Sequence, residues 1–276
     1  MRTRNCLILL AGLALACTAA VVQAKAREEG RLLTASEVLE ELRATRDQVI
    51  PDRLLERAYG ILVIPDLTKV AFFAGGRRGH GVMVVRDGQG RFSSPVFVTM
   101  TGGSFGWQWG VQSADIVLVF TTPKGIEGIN GGKVTLGADA SVAAGPVGRQ
   151  AEAATDPSFK AEVYSYSRSR GVFAGLALDG TVISIDDGAN ADFYGKPGVA
   201  ASDIIAGTVR SDDSSAQRFL AAVATSTGTS APQRSASAAP PPGPASPPNP
   251  SPQPAPQPAP VQSFPMTDPQ PGQEPK

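Results

Sequence analysis

Near residue 60 the apolar positions stop recurring every three or four residues and begin to recur every two. Upstream of that change, Ala35, Val38, Leu39, Leu42 and Val49 fall at helical intervals, and Thr34 with Glu37 has capping-box spacing, which predicts a helix starting at Thr34. Pro51 opens a second, short helix through Leu54, Leu55 and Ala58, since proline suits the first helical position. Downstream, β-rich runs predict strands at Ile61–Ile64, Val70–Ala74, Gly81–Arg86, Val96–Thr101, Ser104–Gln112, Ile116–Thr121, Lys133–Leu136, Ser141–Val147, Ala161–Ser167, Gly171–Leu178 and Thr181–Ile185. Glycine-rich pieces such as GGRRGHG, RDGQGR and LDGT read as the turns between them. A helical turn is expected at Lys124–Asn130, with helices at Ser202–Val209 and Ser214–Ala224. Many short strands without alternating helices define the class as α+β: a mainly antiparallel sheet or barrel, flanked by N- and C-terminal helices.

The two ends fall outside this pattern. The opening MRTRNCLILLAGLALACTAAVVQA sets Arg2 and Arg4 ahead of an apolar run too short to span a bilayer and ends in small residues, the layout of a secretory signal peptide over 1–24. Val22 and Ala24 suit the peptidase, so the mature chain is expected to begin at Lys25. A competing reading acylates Cys17 as a lipoprotein, but Leu15 before Ala16 fits that signal poorly. From 228 to 276 the composition turns to Pro, Ala, Ser and Gln, which cannot build a core and reads as a disordered, extended spacer. Between the ends, residues 25–227 suit one domain. The expected location is exported, in the periplasm or cell envelope.

Charge and cysteine content narrow the chemistry. Both cysteines, Cys6 and Cys17, lie in the signal, which leaves the exported chain no disulfide and no thiolate. Loss of Arg2 and Arg4 takes the formal balance from zero to about two units negative, which argues against nucleic acid and makes any anion site local. His80 lacks a second His or Cys as a metal partner, and Asp186-Asp187-Gly188 lacks the further spaced acids of a calcium loop and reads as a turn before a helix near Asn190. No cofactor is expected.

Gly102-Gly103-Ser104-Phe105-Gly106 fits G-x-S-x-G, the elbow of serine hydrolases. An elbow needs a helix after the serine. Here Phe105, Trp107, Trp109 and Val111 alternate with Gly106, Gln108, Gly110 and Gln112, which is a strand pattern, so a catalytic role for Ser104 is not expected. The aromatic face suits either a core or a membrane interface, where amphipathic rings are at home.

The segment GGSFGWQWG resembles the G-G-S-x-G-x-Q-x-G signature of the SYLF domain. Ile64-Pro65, GGRRGHGVMVVR, LGADASVAAGPVGR, YSYSRSRGVFAGLALDG and Phe193-Tyr194-Gly195 are similar to that family in the same order, over roughly Leu39 to Gly195. The resemblance implies non-catalytic binding of anionic lipids and phosphoinositides, with actin binding in fungal members. Two features depart from it. Glu37, Glu40, Glu41 and Asp47 outnumber Arg43 and Arg46 on the first helix, where eukaryotic members carry a basic amphipathic segment, and an exported protein meets no cytosolic actin.

The expected partner is therefore a phospholipid or membrane surface, contacted peripherally, with envelope proteins a further partner through the tail. Arg77 and Arg78 inside Gly75–Gly81 suit an anionic headgroup if the backbone N–H groups form a concavity, or are solvated arginines of a hairpin loop. Lys133, with Lys124 and Arg149, lies near strand ends that could join that surface. Phe105, Trp107 and Trp109 are the candidates for contact with the apolar part of a membrane.

Overall fold

The computed structural model describes residues 23–42, 50–71, 74–105, 110–146, 160–169 and 172–229. Residues 1–22, the tail from 230, Arg149, Trp107 and Trp109 lie outside the described residues.

The first helix, α1, covers residues 23–42 and thus begins well before Thr34. Thr34 is an interior residue whose Oγ1 donates to the Gly30 carbonyl at 3.1 Å, so the capping-box reading is wrong. A threonine inside a helix satisfies its hydroxyl on the preceding turn just as well, and its spacing to Glu37 could not tell the two apart. Leu32, Ala35, Val38, Leu39 and Leu42 form the buried stripe of α1. The short helix α2, Asp52–Glu56, follows Pro51 as expected.

The strands are β1 (Gly60–Ala71), β2 (Ala74–Val85), β3 (Val96–Phe105), β4 (Gly110–Phe120), β5 (Lys133–Thr135), β6 (Val142–Ala144), β7 (Val163–Ser169), β8 (Val172–Gly175) and β9 (Val182–Ile185). The helices α3 (Lys124–Asn130), α4 (Asp187–Tyr194), α5 (Ala201–Ile205) and α6 (Ser214–Thr227) complete the order. One curled sheet runs β5-β9-β3-β2-β1-β4-β7-β6, with β8 also on β7. All pairings are antiparallel except β6 with β7, so the sheet is mixed and the class α+β stands.

Both faces of this sheet are covered. Ile61, Val63, Val82, Val84, Phe97, Val117 and Val119 pack against α1, α2 and α6, through residues such as Leu39, Leu54 and Phe219. The alternate positions Leu62, Met83, Val98, Leu118 and Phe120 pack against Ile126 and Ile129 of α3 and Ile204 of α5. That is why the central strands read as continuous apolar runs rather than alternating ones.

A bulge in β1 shifts its register between Val63 and Thr68 against β2, and between Ile64 and Leu67 against β4. Pro65 has no N–H to offer a ladder, and Asp66 sits at φ 53°, a left-handed conformation that Asp tolerates. The Asp66 N–H donates to Asp115 Oδ1 at 3.0 Å, which ties the bulge to β4. The predicted strand at 61–64 and the start of the one at 70–74 are therefore one bulged strand, which ends at Ala71, while Ala74 already begins β2.

Candidate functional site

Strands β1 to β4 outrun the helices that cover them. On the helix-α1 face, Thr68, Arg78, Thr101 and Ser113 are exposed, whereas the same strands are buried a few residues further in. At this outer end Ala74 pairs with Phe105 and Ala71 with Gly110. The strand ends Ala71, Ala74, Phe105 and Gly110 therefore lie at one end of the sheet, and Phe72, Phe73 and residues 106–109, which follow them in the sequence, lie outside the described residues. The continuous strand predicted over Ser104–Gln112 is replaced by the end of β3 and the start of β4, whose pairing partners are β2 and β1 respectively. A period-two pattern can run past the end of one strand into the start of another, which is why the sequence did not separate them.

The basic candidates occupy strands, not a hairpin loop. GGRRGHG lies inside β2, which corrects the loop reading; Gly79 and Gly81 serve close packing against β1. The Cβ that Gly81 lacks would overlap the Val63 carbonyl oxygen and stand 2.5 Å from Ile64 Cδ1, and one at Gly79 would stand 2.5 Å from Ile64 Cγ2. Successive strand residues face opposite sides, so Arg77 and Arg78 do not form one concave site. The rung Thr135–Val182–Thr101–Arg78–Thr68 and the neighbouring rung Lys133–Ser184–Thr99–His80 place Lys133 and Arg78 on the helix-α1 face. Arg77 stands on the opposite face, paired with Lys69 and Gly102.

Arg77 is half-buried, and desolvation lowers its pKa from the ordinary arginine value against the opposing field of Asp179. Its Nε is buried without a hydrogen-bond partner, as is Oγ1 of the fully buried Thr181. The point a Cβ would take on Gly102 lies 2.7 Å from Arg77 Nε and 3.1 Å from Thr181 Oγ1, so both groups converge over the bare backbone of Gly102. Neither Lys69 nor Thr181 had been marked by the sequence. They become visible only once register is known.

A second polar cluster lies further in on the helix-α1 face. His80 Nδ1 stands 3.1 Å from Asp186 Oδ2, and the Thr99 hydroxyl donates to the same oxygen at 3.2 Å. Burial raises the Asp186 pKa, but the Ala189 N–H, His80 and Thr99 outweigh it and hold the carboxyl below its ordinary value. Asp186 thereby caps α4, which begins at Asp187, three residues before the expected start near Asn190. Beside it, wholly buried Glu28 pairs with Arg31 at 2.7 Å and Arg27 at 3.1 Å, and the Arg31 guanidinium stands 5.6 Å from the Phe97 ring centroid. Burial lowers the Arg31 pKa, opposed first by Glu28. Ser104 pairs with Gly75, five positions along β3 from Thr99, the partner of His80. At the strand rise this separates the serine and histidine backbones by about 17 Å. Among the described residues, no group of three or more His, Cys, Asp or Glu could hold a metal, and no helix is long and apolar enough to cross a membrane.

The domain is thus a curled mixed sheet clasped by helices on both faces. A family model described as Ysc84, Las17-binding protein actin regulator, matches residues 101–226, which identifies that stretch as a Ysc84, or SYLF, domain. The chain is 40% identical over 167 residues to LAS seventeen-binding protein 3 of Saccharomyces cerevisiae, covering 59% of this chain and 36% of that one. It is 40% identical over 152 residues to Protein YSC84 of the same organism, covering 54% and 32%. It is 32% identical over 162 residues to the human SH3 domain-containing YSC84-like protein 1, covering 58% and 47%. The chain thus spans between a third and a half of the length of these relatives.

Proposed function

We propose that this domain binds a membrane surface without catalysis, as an exported protein of the periplasm or cell envelope, with Phe105, Trp107 and Trp109 toward the apolar region and Arg78, Arg77 and Lys133 toward anionic headgroups. The observation that carries this reading is the shared sheet end formed by Ala71, Ala74, Phe105 and Gly110, which the sequence continues into Phe72-Phe73 and into Trp107 and Trp109. Amphipathic aromatic rings favour the membrane interface. Lys69, Arg77 and Arg78 lie two to four residues inside the strand ends Ala71 and Ala74, about 7–14 Å along the strands. That spacing suits headgroups when the aromatic end touches the acyl boundary. Each basic residue near such a surface contributes about 1 kcal/mol, which falls off within a Debye length. Co-sedimentation with vesicles of phosphatidylcholine, with and without phosphatidylglycerol, tests the reading: binding should need the anionic lipid and weaken with salt, and equal pelleting with neutral vesicles contradicts the headgroup part.

A protein-binding role is the second reading, favoured by the relatives named for binding LAS seventeen and by the exposed hydroxyl-rich rung of Thr68, Arg78 and Thr101. It gains if vesicles of neither composition bind.

A further inference from the structure

We infer that Lys69, Arg77 and Thr181 form an oxyanion site over Gly102, one that takes a phosphate-class group; this deepens the membrane reading by naming one headgroup contact. Lys69 and Arg77 are direct cross-strand partners, so their side chains leave the same face, and like charges in that position destabilise a sheet unless something lies between them. Neither forms an ion pair with any carboxylate among the described residues. The acid whose field Arg77 feels is Asp179, which sits outside ion-pair distance.

Thr181 supplies the independent observation. Its side chain is 0% exposed and its hydroxyl has no partner, a costly state for a buried polar group. Arg77 Nε is in the same state, and both stand against the bare backbone of Gly102, over which the Arg77 side chain lies with its Cγ 3.3 Å from the point a Cβ would take. Two donors, a second cation and a backbone without a side chain are what an oxyanion needs: charge neutralisation for Lys69 and Arg77, and acceptor lone pairs for Nε–H and Oγ–H. A carboxylate would satisfy one donor pair. A tetrahedral phosphate also offers oxygens toward Lys69, and that is why phosphate is the class assigned.

The test follows the Arg77 Nε–H resonance of the full chain by nitrogen-15 NMR during titration with inorganic phosphate, with chloride holding ionic strength constant. Phosphate should shift that resonance saturably. Arg77→Gln or Lys69→Gln should weaken binding about tenfold to a hundredfold, read from the Thr181 amide, and Thr181→Val about two- to tenfold. Gly102→Ala places a methyl between the two donors and should abolish binding in a chain that still gives a native spectrum. Lys196→Gln, an exposed residue beyond α4, should leave it unchanged. Phosphatidylcholine vesicles containing phosphatidic acid then separate the sources: competition with inorganic phosphate at Arg77 assigns a lipid headgroup, and its absence assigns a soluble phosphate compound. The inference is overturned if neither probe moves the Arg77 resonance, or if Gly102→Ala binds phosphate as the parent does. Vesicle binding that survives Arg77→Gln yet requires Trp107 and Trp109 removes this site and leaves the membrane reading standing.

Discussion

Alanine at Gly81 should destabilise the domain, whereas alanine at Gly76 in the same strand should not. A Cβ at 81 would overlap the Val63 carbonyl oxygen and stand 3.2 Å from Ile64 Cα, both backbone atoms of the β1 bulge, while one at 76 has nothing within 4 Å. Backbone held in a ladder on both sides cannot move aside cheaply, so overpacking should cost about 1–3 kcal/mol. Replacing glycine itself in a strand returns about 0.5–1 kcal/mol of backbone entropy, which partly offsets that cost at 81 and acts alone at 76. For a domain of this size each kcal/mol moves the melting temperature by about 2–4 °C. Gly81→Ala is therefore expected to melt up to about 10 °C below the parent, and Gly76→Ala up to about 4 °C above it, in calorimetry or near-ultraviolet circular dichroism. Gly79→Ala should fall between them, because it meets side-chain atoms, Ile64 Cγ2 and Leu67 Cδ1, at 2.5 and 2.8 Å, while its nearest backbone atom, Leu67 Cα, stands 3.3 Å away. Equal shifts of one sign at 76 and 81 would refute the claim that Gly79 and Gly81 are glycine for packing against the bulge.

Glu28→Ala leaves the Arg31 guanidinium, whose side chain is only 13% exposed, without its closest counter-charge, and should lower the unfolding free energy by about 3–5 kcal/mol in urea titrations. Asp186 has a folded-state pKa below its unfolded value, so its contribution is complete above about pH 4 and lost as pH falls through the folded pKa; Asp186→Asn should flatten that acid limb while keeping the α4 cap, in melts taken between about pH 5 and 2.

The architecture was legible because period is a local property. Runs such as Ile61–Ile64 and Ile116–Phe120 are apolar at every position, and both faces of the sheet prove to be covered. The helical turn after Pro123 and the helix from Ser214 were likewise carried by local signals. What failed was whatever depends on pairing. Thr34 looks the same at a cap and in a helix interior, and GGRRGHG looks the same in a loop and in a strand that needs close approach. The site suffered most. Sequence adjacency joined Arg77 to Arg78, whereas the pleat sends them to opposite faces and register joins Arg77 to Lys69, eight residues away, and to Gly102. Arg31 with Glu28, three residues apart on a helix, was within reach of sequence reasoning through its spacing, but nothing local marks that pair as buried.

The membrane reading is tested most directly by intrinsic fluorescence, because the chain has 2 tryptophans, Trp107 and Trp109, both in the connection between β3 and β4. Vesicles of phosphatidylcholine and phosphatidylglycerol, carrying brominated acyl chains as contact quenchers, are added to the full chain. The account predicts a blue shift and quenching that require the anionic lipid and diminish with salt. Emission unchanged at saturating lipid would contradict it, and would hand this end of the sheet to a protein partner.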